Sequence, residues 1–253
     1  MLLLLLKIVL VPALVVVVTL GGRRWGPRVG GFLASFPIVA GPTLLFFALE
    51  QGDAFAAAAA HATLVSLLAV SLSALVYAWV SLRARWAPSL LSSWSSFLVA
   101  TSALNAVRWP IWLAFVAALG SFFLVRALLP ATGQAPPARP RSPWDLPLRI
   151  VSAVTVVLAL TTLAGWLGPT RSGAFTAFPS ALGILLAFTH AQLGAVSAIR
   201  FLHGFMPGMW SFALFCFVIA LAMVPLGTWA GLALAVLALA PPQAAVLWAM
   251  RRR

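Results

Sequence analysis

Apolar runs of about 20 residues, separated by short polar or basic stretches, extend over most of the chain. A run of this length crosses the hydrocarbon of a membrane as one α-helix. Only residues 126–149 form an extended polar connection, which is rich in proline. The pattern predicts an all-α, polytopic transmembrane helical bundle of about nine helices, five before this connection and four after it. The corresponding units are residues 1–129, a cytoplasmic linker at 130–147, and residues 148–253.

The predicted helices follow the apolar runs. Their approximate limits are Leu2 to Leu20, Val29 to Leu49, Ala54 to Leu82, Pro88 to Ala106, Pro110 to Leu128, Leu148 to Leu167, Ser172 to Gln192, Val196 to Val224 and Leu226 to Met250. The fourth and fifth are separated because the 44 residues from Trp86 to Leu129 exceed one span at about 1.5 Å per residue. The fourth is rich in serine, so we expect it to face other helices.

One segment of the chain recurs 142 positions later without a gap. Residues 26–61 (GPRVGGFLASFPIVAGPTLLFFALEQGDAFAAAAAH) align with residues 168–203 (GPTRSGAFTAFPSALGILLAFTHAQLGAVSAIRFLH). Eleven of the 36 aligned positions are identical, and nine of these are Gly, Pro, Phe or His. The composition would supply Ala and Leu by chance instead. We therefore interpret the segment as an internal repeat.

The composition excludes a soluble protein. Hydrophobic residues make up 63% of the chain and charged residues 8%, whereas soluble domains carry about 25% charged residues. The net charge of +13 does not indicate a nucleic-acid partner, because the basic residues lie between the apolar runs, as in cytoplasmic membrane loops.

Cys216 is the only cysteine, which excludes an intrachain disulfide and a CxxC motif. No catalytic motif is present, so an enzyme is not expected; an intramembrane enzyme using His61 or His203 stays an open alternative.

The distribution of basic residues predicts the orientation in the membrane. With nine helices and an outside N-terminus, 13 Arg residues fall on the cytoplasmic side and only Lys7, Arg108 and Arg171 fall outside. The first apolar run is interpreted as a retained helix, because it lacks a charged n-region and arginines follow it. The chain is therefore expected in a bacterial inner membrane with a cytoplasmic C-terminus. The two copies of the repeat then cross in opposite senses, which makes them an inverted repeat.

Each copy of the repeat places a Phe-Pro pair and a glycine within a predicted helix. Because proline has no N–H, Pro37 and Pro179 should each free the carbonyl four residues earlier. Spans interrupted by Gly and Pro at matching places of inverted halves are typical of a transporter binding site. The expected substrate-binding residues are Phe36, Pro37, Gly41, Phe178, Pro179 and Gly183. The alternative is that the prolines only kink packed helices, with Gly30, Gly31 and Gly173 as close-packing positions.

His61 and His203 occupy the same position of the repeat. Histidine titrates near neutral pH, and ionisable groups inside membranes are usually paired or functional. The expected proton-coupling residues are His61, His203, Glu50, Asp53 and Arg200, with His61 able to pair with Asp53 or Glu50. The alternative for each histidine is a hydrogen bond to a backbone carbonyl near the interface. His203, Met206 and Met209 form a loose stripe of soft ligands, but no second cluster converges on it, so neither a metal nor a cofactor is expected.

The half-unit, with Gly31, Phe36-Pro37 and a following loop that carries acids, resembles the small four-helix GlpM-like proteins of bacterial inner membranes. The resemblance implies that two such units are fused in opposite orientations, and it implies no substrate. The fifth predicted helix has no counterpart in a four-helix unit.

These features together favour a small secondary transporter or permease, proton-coupled through His61 and His203. The scarcity of charges in the apolar runs favours a small neutral, weakly charged or lipid-linked solute. A non-transporting membrane scaffold or accessory subunit is the alternative. The expected partners are membrane lipids and a small-molecule substrate, and the pattern is compatible with a homo-oligomer.

Overall fold

The computed structural model describes residues 2–37, 40–133, 144–164 and 177–251 of the 253-residue chain. These residues form helices joined by short connections, and no strand occurs among them. The helices are α1 Leu2–Trp25, α2 Pro27–Ala34, α3 Ala40–Gln51, α4 Asp53–Ser81, α5 Trp86–Asn105, α6 Ile111–Leu128, α7 Asp145–Ala164, α8 Ser180–Leu226, α9 Thr228–Ala238 and α10 Ala240–Arg251. The predicted all-α helical bundle is confirmed.

Four helical segments of the described chain are long and apolar enough to cross a membrane. They are α4, α6, α8, and Thr228–Trp248, which includes α9 and most of α10. α5 and α6 are separate helices with a connection at residues 106–110, as the length of this run predicts. The predicted last helix is instead interrupted at Leu239, shortly before Pro241 and Pro242. Prolines there favour a new helix start, because the first turn of a helix needs no N–H donor.

The Phe-Pro pairs stand between helices and not inside them. α2 ends at Ala34, Pro37 is non-helical, and α3 begins at Ala40. In the second copy Phe178 and Pro179 are non-helical and α8 begins with the next residue; residues 172–176, where the predicted helix begins, lie outside the described chain. The prediction of one continuous helix through Pro37 is therefore wrong. A proline outside a helix removes no intrahelical hydrogen bond, so this position carries no such cost.

The two copies of the repeat share their backbone features. In both, the glycine four residues after the proline donates its amide N–H to the carbonyl of Pro37 or Pro179, at 2.8 Å. A glycine corner follows: Gly52 and Gly194 have φ values of +90° and +80°, which favour a residue without Cβ. Gly194 divides α8 into segments 180–193 and 195–226. Each copy is thus a break at Phe-Pro, a short helix, a glycine corner and a long helix.

The offset of 142 residues that relates the two copies of the repeat also relates the helices before and after them. α7 occupies positions equivalent to those of α1, and α5 and α9 begin at the equivalent residues Trp86 and Thr228. α6 has no equivalent among the described helices. The five helices predicted before the connection are therefore four repeat elements followed by α6, and the second half consists of the other four elements.

α4 forms the centre of the bundle and packs against α5, α6 and α8. Its buried positions are largely Ala and Ser, which let neighbouring helices approach closely. α5 packs on α4 with one face only: Ser89 and Ser93 are buried, whereas Ser95 and Ser102 are exposed. The expectation that the serines of this helix face other helices therefore holds for part of them.

α2 crosses the second segment of α8 at very short range. A Cβ added at Gly31 would overlap the backbone of Phe201, and a Cβ added at Gly204 would overlap the backbone of Arg28. Gly30 also lies close to Gly22 of α1. Gly30 and Gly31 are thus close-packing positions, which agrees with the second interpretation of the glycines in the repeat.

Candidate functional site

The two segments predicted to bind substrate have different neighbours. Phe178 packs against α5, with ring-centroid distances of 5.4 Å to Trp94 and 5.3 Å to Phe97. Gly183 faces the same helix, and a Cβ there would come within 3 Å of the Trp94 indole nitrogen. The segment from Phe178 to Gly183 therefore belongs to the packed interface with α5.

The first segment lies against other parts of the bundle. Phe36 contacts Phe32 edge-on with a centroid distance of 5.5 Å, and Pro37 is buried. A Cβ on Gly41 would be in ordinary contact distance, 3.4 Å, from Phe215 of α8. None of the predicted substrate-binding residues lines the cavity between α1, α7 and α8 or the cavity beside the C-terminal ends of α1 and α6.

The two repeat histidines contact the segments that flank α6. The Nε2 atom of His203 lies 3.2 Å from the carbonyl oxygen of Pro130, two residues after α6 ends. The ring of His61 lies beside the backbone of Trp109, two residues before α6 begins, and its Nε2 atom has no hydrogen-bond partner in the described chain. α6 has 18 residues and is about 27 Å long, close to the thickness of membrane hydrocarbon. Equivalent positions of the repeat thus lie at opposite ends of a membrane-length helix, the relation that an inverted repeat requires.

The other residues predicted for proton coupling do not pair with these histidines in the described chain. Asp53 accepts a hydrogen bond from the Thr228 hydroxyl, and Glu50 is exposed. Arg200 donates to the carbonyl of Gly133 at 2.7 Å, so Arg200 and His203 both hold the segment that follows α6. No ion pair joins His61 to Asp53 or Glu50 among the described residues; the ring lies beside the backbone of Trp109 instead.

A polar cluster that the sequence pattern does not predict lies between α1, α7 and α8; it consists of Arg23, Asp145, Arg149 and Gln192. Asp145 accepts from Arg23 and from Arg149, at 2.7 Å in each case. Gln192 donates to Asp145, and its amide oxygen accepts from Arg149 at 3.2 Å. Asp145 is 2% exposed and Arg149 6% exposed. This cluster is the most deeply buried charged group in the described chain.

Asp145 is the first residue of α7 and precedes the apolar run that begins at Leu148. Burial raises the pKa of this carboxyl, but the hydrogen bonds from Arg149, Arg23 and Gln192 outweigh burial and hold the pKa of Asp145 below its ordinary value. Asp145 is therefore ionised near neutral pH. A signal in the sequence could have indicated it: Asp145 is one of only three acids in the chain, and an arginine follows at the i+4 position of a helix start.

A second buried polar contact joins α4 and α8. The Tyr77 hydroxyl lies 3.3 Å from Nδ1 of His190, and the two rings meet edge-on. Tyr77 is fully buried. His190, which has no equivalent histidine in the first copy, therefore has a side-chain partner of its own.

The larger of the two described cavities has a volume of about 770 Å³ and lies beside the C-terminal ends of α1 and α6. We call it the amphipathic cavity. Its lining includes the basic side chains Arg28, Arg126 and His203 and the aromatic side chains Trp25, Phe122 and Trp210. No acidic side chain is among its lining residues. The arrangement can hold a negative group near the basic side chains and an apolar group against the rings.

Within the described ranges no group of three or more His, Cys, Asp or Glu side chains is arranged to hold a metal ion. No family model, curated protein or solved structure matches the chain. The resemblance to GlpM-like proteins stays a prediction, and a functional proposal depends on the geometry alone.

Proposed function

We propose that the chain is a small secondary transporter of the bacterial inner membrane, with its N-terminus outside and its C-terminus in the cytoplasm. The observation that carries the proposal is the repeated broken helix whose two copies reach opposite ends of α6 through His61 and His203. Paired, broken helices in inverted halves are a common architecture of secondary transporters. The glycine corners and breaks supply places where one half can move against the other.

The amphipathic cavity supports an organic anion with an apolar part as the solute. Its volume of about 770 Å³ lies within the usual range of small-molecule sites, about 300–1,000 Å³. Three of its lining side chains are basic or can become so, and none is acidic. A weakly charged organic anion or an anionic lipid-linked molecule could pair its negative group with the basic side chains and pack its apolar part against the aromatic rings. The solute site in this proposal is therefore the cavity and not the two Phe-Pro segments.

Uptake by proteoliposomes should distinguish solutes by charge. We expect accumulation of amphipathic organic anions above empty vesicles, and little uptake of matched cations or neutral solutes, because the cavity is basic. Replacing Arg28 and Arg126 with Gln should reduce anion uptake at least tenfold, on the scale of two lost charge-assisted hydrogen bonds. Arg85→Gln is the matched control, since Arg85 is exposed and does not line the cavity.

The outcomes separate two parts of the proposal. Uptake of neutral solutes that does not depend on Arg28 and Arg126 would leave transport standing and remove the anionic solute. No uptake of any solute by correctly inserted protein would support the scaffold instead.

A pH gradient applied to the same vesicles tests proton coupling. His61→Gln and His203→Gln should abolish the pH-driven component of uptake, and unchanged uptake would remove both histidines from the coupling mechanism.

The inverted topology predicts that the two glycine corners lie on opposite sides of the membrane. Single cysteines placed at Gln51 and Ala191, both exposed beside a corner, should differ in access to an impermeant maleimide in a Cys216→Ala background. Gln51→Cys should be labelled in intact cells, and Ala191→Cys only when the cytoplasmic face is accessible. Labelling of both positions from the same side would contradict the inverted arrangement.

A non-transporting scaffold or accessory subunit is the second candidate. It is favoured by the packing of Phe178 against Trp94 and Phe97, because a substrate-binding segment would be expected to line an open space. Under this alternative the breaks at Phe-Pro only direct helix packing, and the amphipathic cavity holds membrane lipid.

A further inference from the structure

We propose that the polar cluster binds a small monovalent inorganic anion, of the size of chloride, between α1, α7 and α8. The site is separate from the amphipathic cavity and does not depend on the chain being a transporter. Three observations lead to it: the charge of the cluster, two buried donors without a partner, and a small cavity that both donors line.

The cluster contains more positive than negative charge. The whole chain has three acidic residues, and the other two, Glu50 and Asp53, stand where α3 meets α4. Asp145 is therefore the only acidic side chain available to both Arg23 and Arg149. Arg149 is 6% exposed, and the side chain of Arg23 is 28% exposed. The excess of one positive charge is therefore only partly solvated, and a monovalent anion at the cluster would neutralise it.

Two donors of the site have no hydrogen-bond partner in the described chain. They are the hydroxyl of Thr19 and the Nε–H of Arg23, and both atoms are buried. Thr19 as a whole is 6% exposed. Buried polar groups are nearly always hydrogen-bonded, so two unpaired donors one helical turn apart on α1 indicate an acceptor between them.

A cavity of about 40 Å³ lies at these donors. Its lining includes Thr19, Arg23, Asp145, Arg149, Thr189 and Gln192. Since one water needs about 10–15 Å³ by this measure, the space suits a few waters or one small anion and is too small for an organic anion. Water could accept from both donors, but it would leave the positive charge in place.

Chloride binding to the purified full-length protein in detergent tests the proposal. Chloride replaces gluconate at constant ionic strength, and equilibrium dialysis with radioactive chloride measures binding, with the melting temperature as a second readout. We expect saturable binding and a rise in melting temperature with chloride. Thr19→Val keeps the shape of the side chain and removes the donor, so it should weaken the affinity about tenfold or more.

Thr189→Val is the matched control. Thr189 lines the same cavity, but its hydroxyl already donates to the carbonyl of Leu185 at 2.6 Å. We expect Thr189→Val to bind chloride with the affinity of the wild type. Absence of chloride binding by the wild-type protein would overturn the proposal, as would an equal loss of affinity in the two variants.

Discussion

Replacing Gly204 with alanine should lower the free energy of unfolding by about 3 kcal/mol, the upper part of the usual range for an overpacked core. The added methyl group would overlap the backbone of Arg28 in α2. A backbone cannot rotate away as a side chain can, so α2 and α8 would have to separate along their whole crossing. Unfolding of the detergent-solubilised protein by a denaturing surfactant, followed by tryptophan fluorescence, measures the loss.

Gly120→Ala is the matched control for this prediction. Gly120 lies within α6, is exposed, and has nothing within 4 Å of an added Cβ. The same methyl group should leave stability unchanged there or raise it by up to about 1 kcal/mol through helix propensity. Gly31→Ala, at the same crossing as Gly204, should destabilise on its own and combine with Gly204→Ala less than additively, because one separation of the helices accommodates both. Equal stability of the Gly204 and Gly120 variants would contradict the close crossing.

The helices were predictable because an apolar run of membrane length can satisfy its own backbone hydrogen bonds within hydrocarbon as an α-helix. The separation of α5 from α6 follows from length alone, and both limits agree with the structure within two residues. The breaks at Pro37 and Pro179 were harder to foresee. A proline lowers helix stability at its own position, but whether the helix kinks or ends depends on what surrounds it.

The partners of the repeat histidines could not be predicted from the repeat itself. The repeat placed His61 and His203 at equivalent positions, but the groups they contact belong to the segments that flank α6, which lies outside the repeat. The acids nearest in sequence have other surroundings: Asp53 accepts a hydrogen bond from Thr228 and Glu50 is exposed. A contact across the bundle depends on how helices are arranged, and periodicity along one helix carries no such information.

The polar cluster shows the same limit more clearly. Arg23, Asp145 and Gln192 are 122 and 47 residues apart in the chain, and each stands at the end of an apolar run where a charged or polar residue is ordinary. In the sequence alone, these residues match the pattern of charged and polar residues that flank membrane helices and set their orientation. Only the packing of α1 and α7 beside α8 makes them a buried group.

Replacing Asp145 with asparagine should lower the free energy of unfolding by about 3–5 kcal/mol, the cost of leaving a buried charge without its partner. The change keeps the shape of the side chain and removes the charge that Arg23 and Arg149 share. Glu50→Gln is the control, because Glu50 is exposed and exposed substitutions usually stay within about 0.5 kcal/mol. The surfactant unfolding used for the glycine variants measures both changes.

The pH dependence of this difference follows from the lowered pKa of Asp145. A carboxyl whose pKa is lower in the folded than in the unfolded protein stabilises the fold above its unfolded pKa, about 3.9. The difference in free energy of unfolding between wild type and Asp145→Asn should thus be constant from neutral pH down to about pH 5 and should decrease as the pH falls through the lowered pKa.

Adding Arg149→Met to Asp145→Asn should restore part of the lost stability, because the buried charge is removed with its partner. A difference that grew with acidification, or a double variant less stable than Asp145→Asn, would contradict the role of Asp145 as the shared counter-ion.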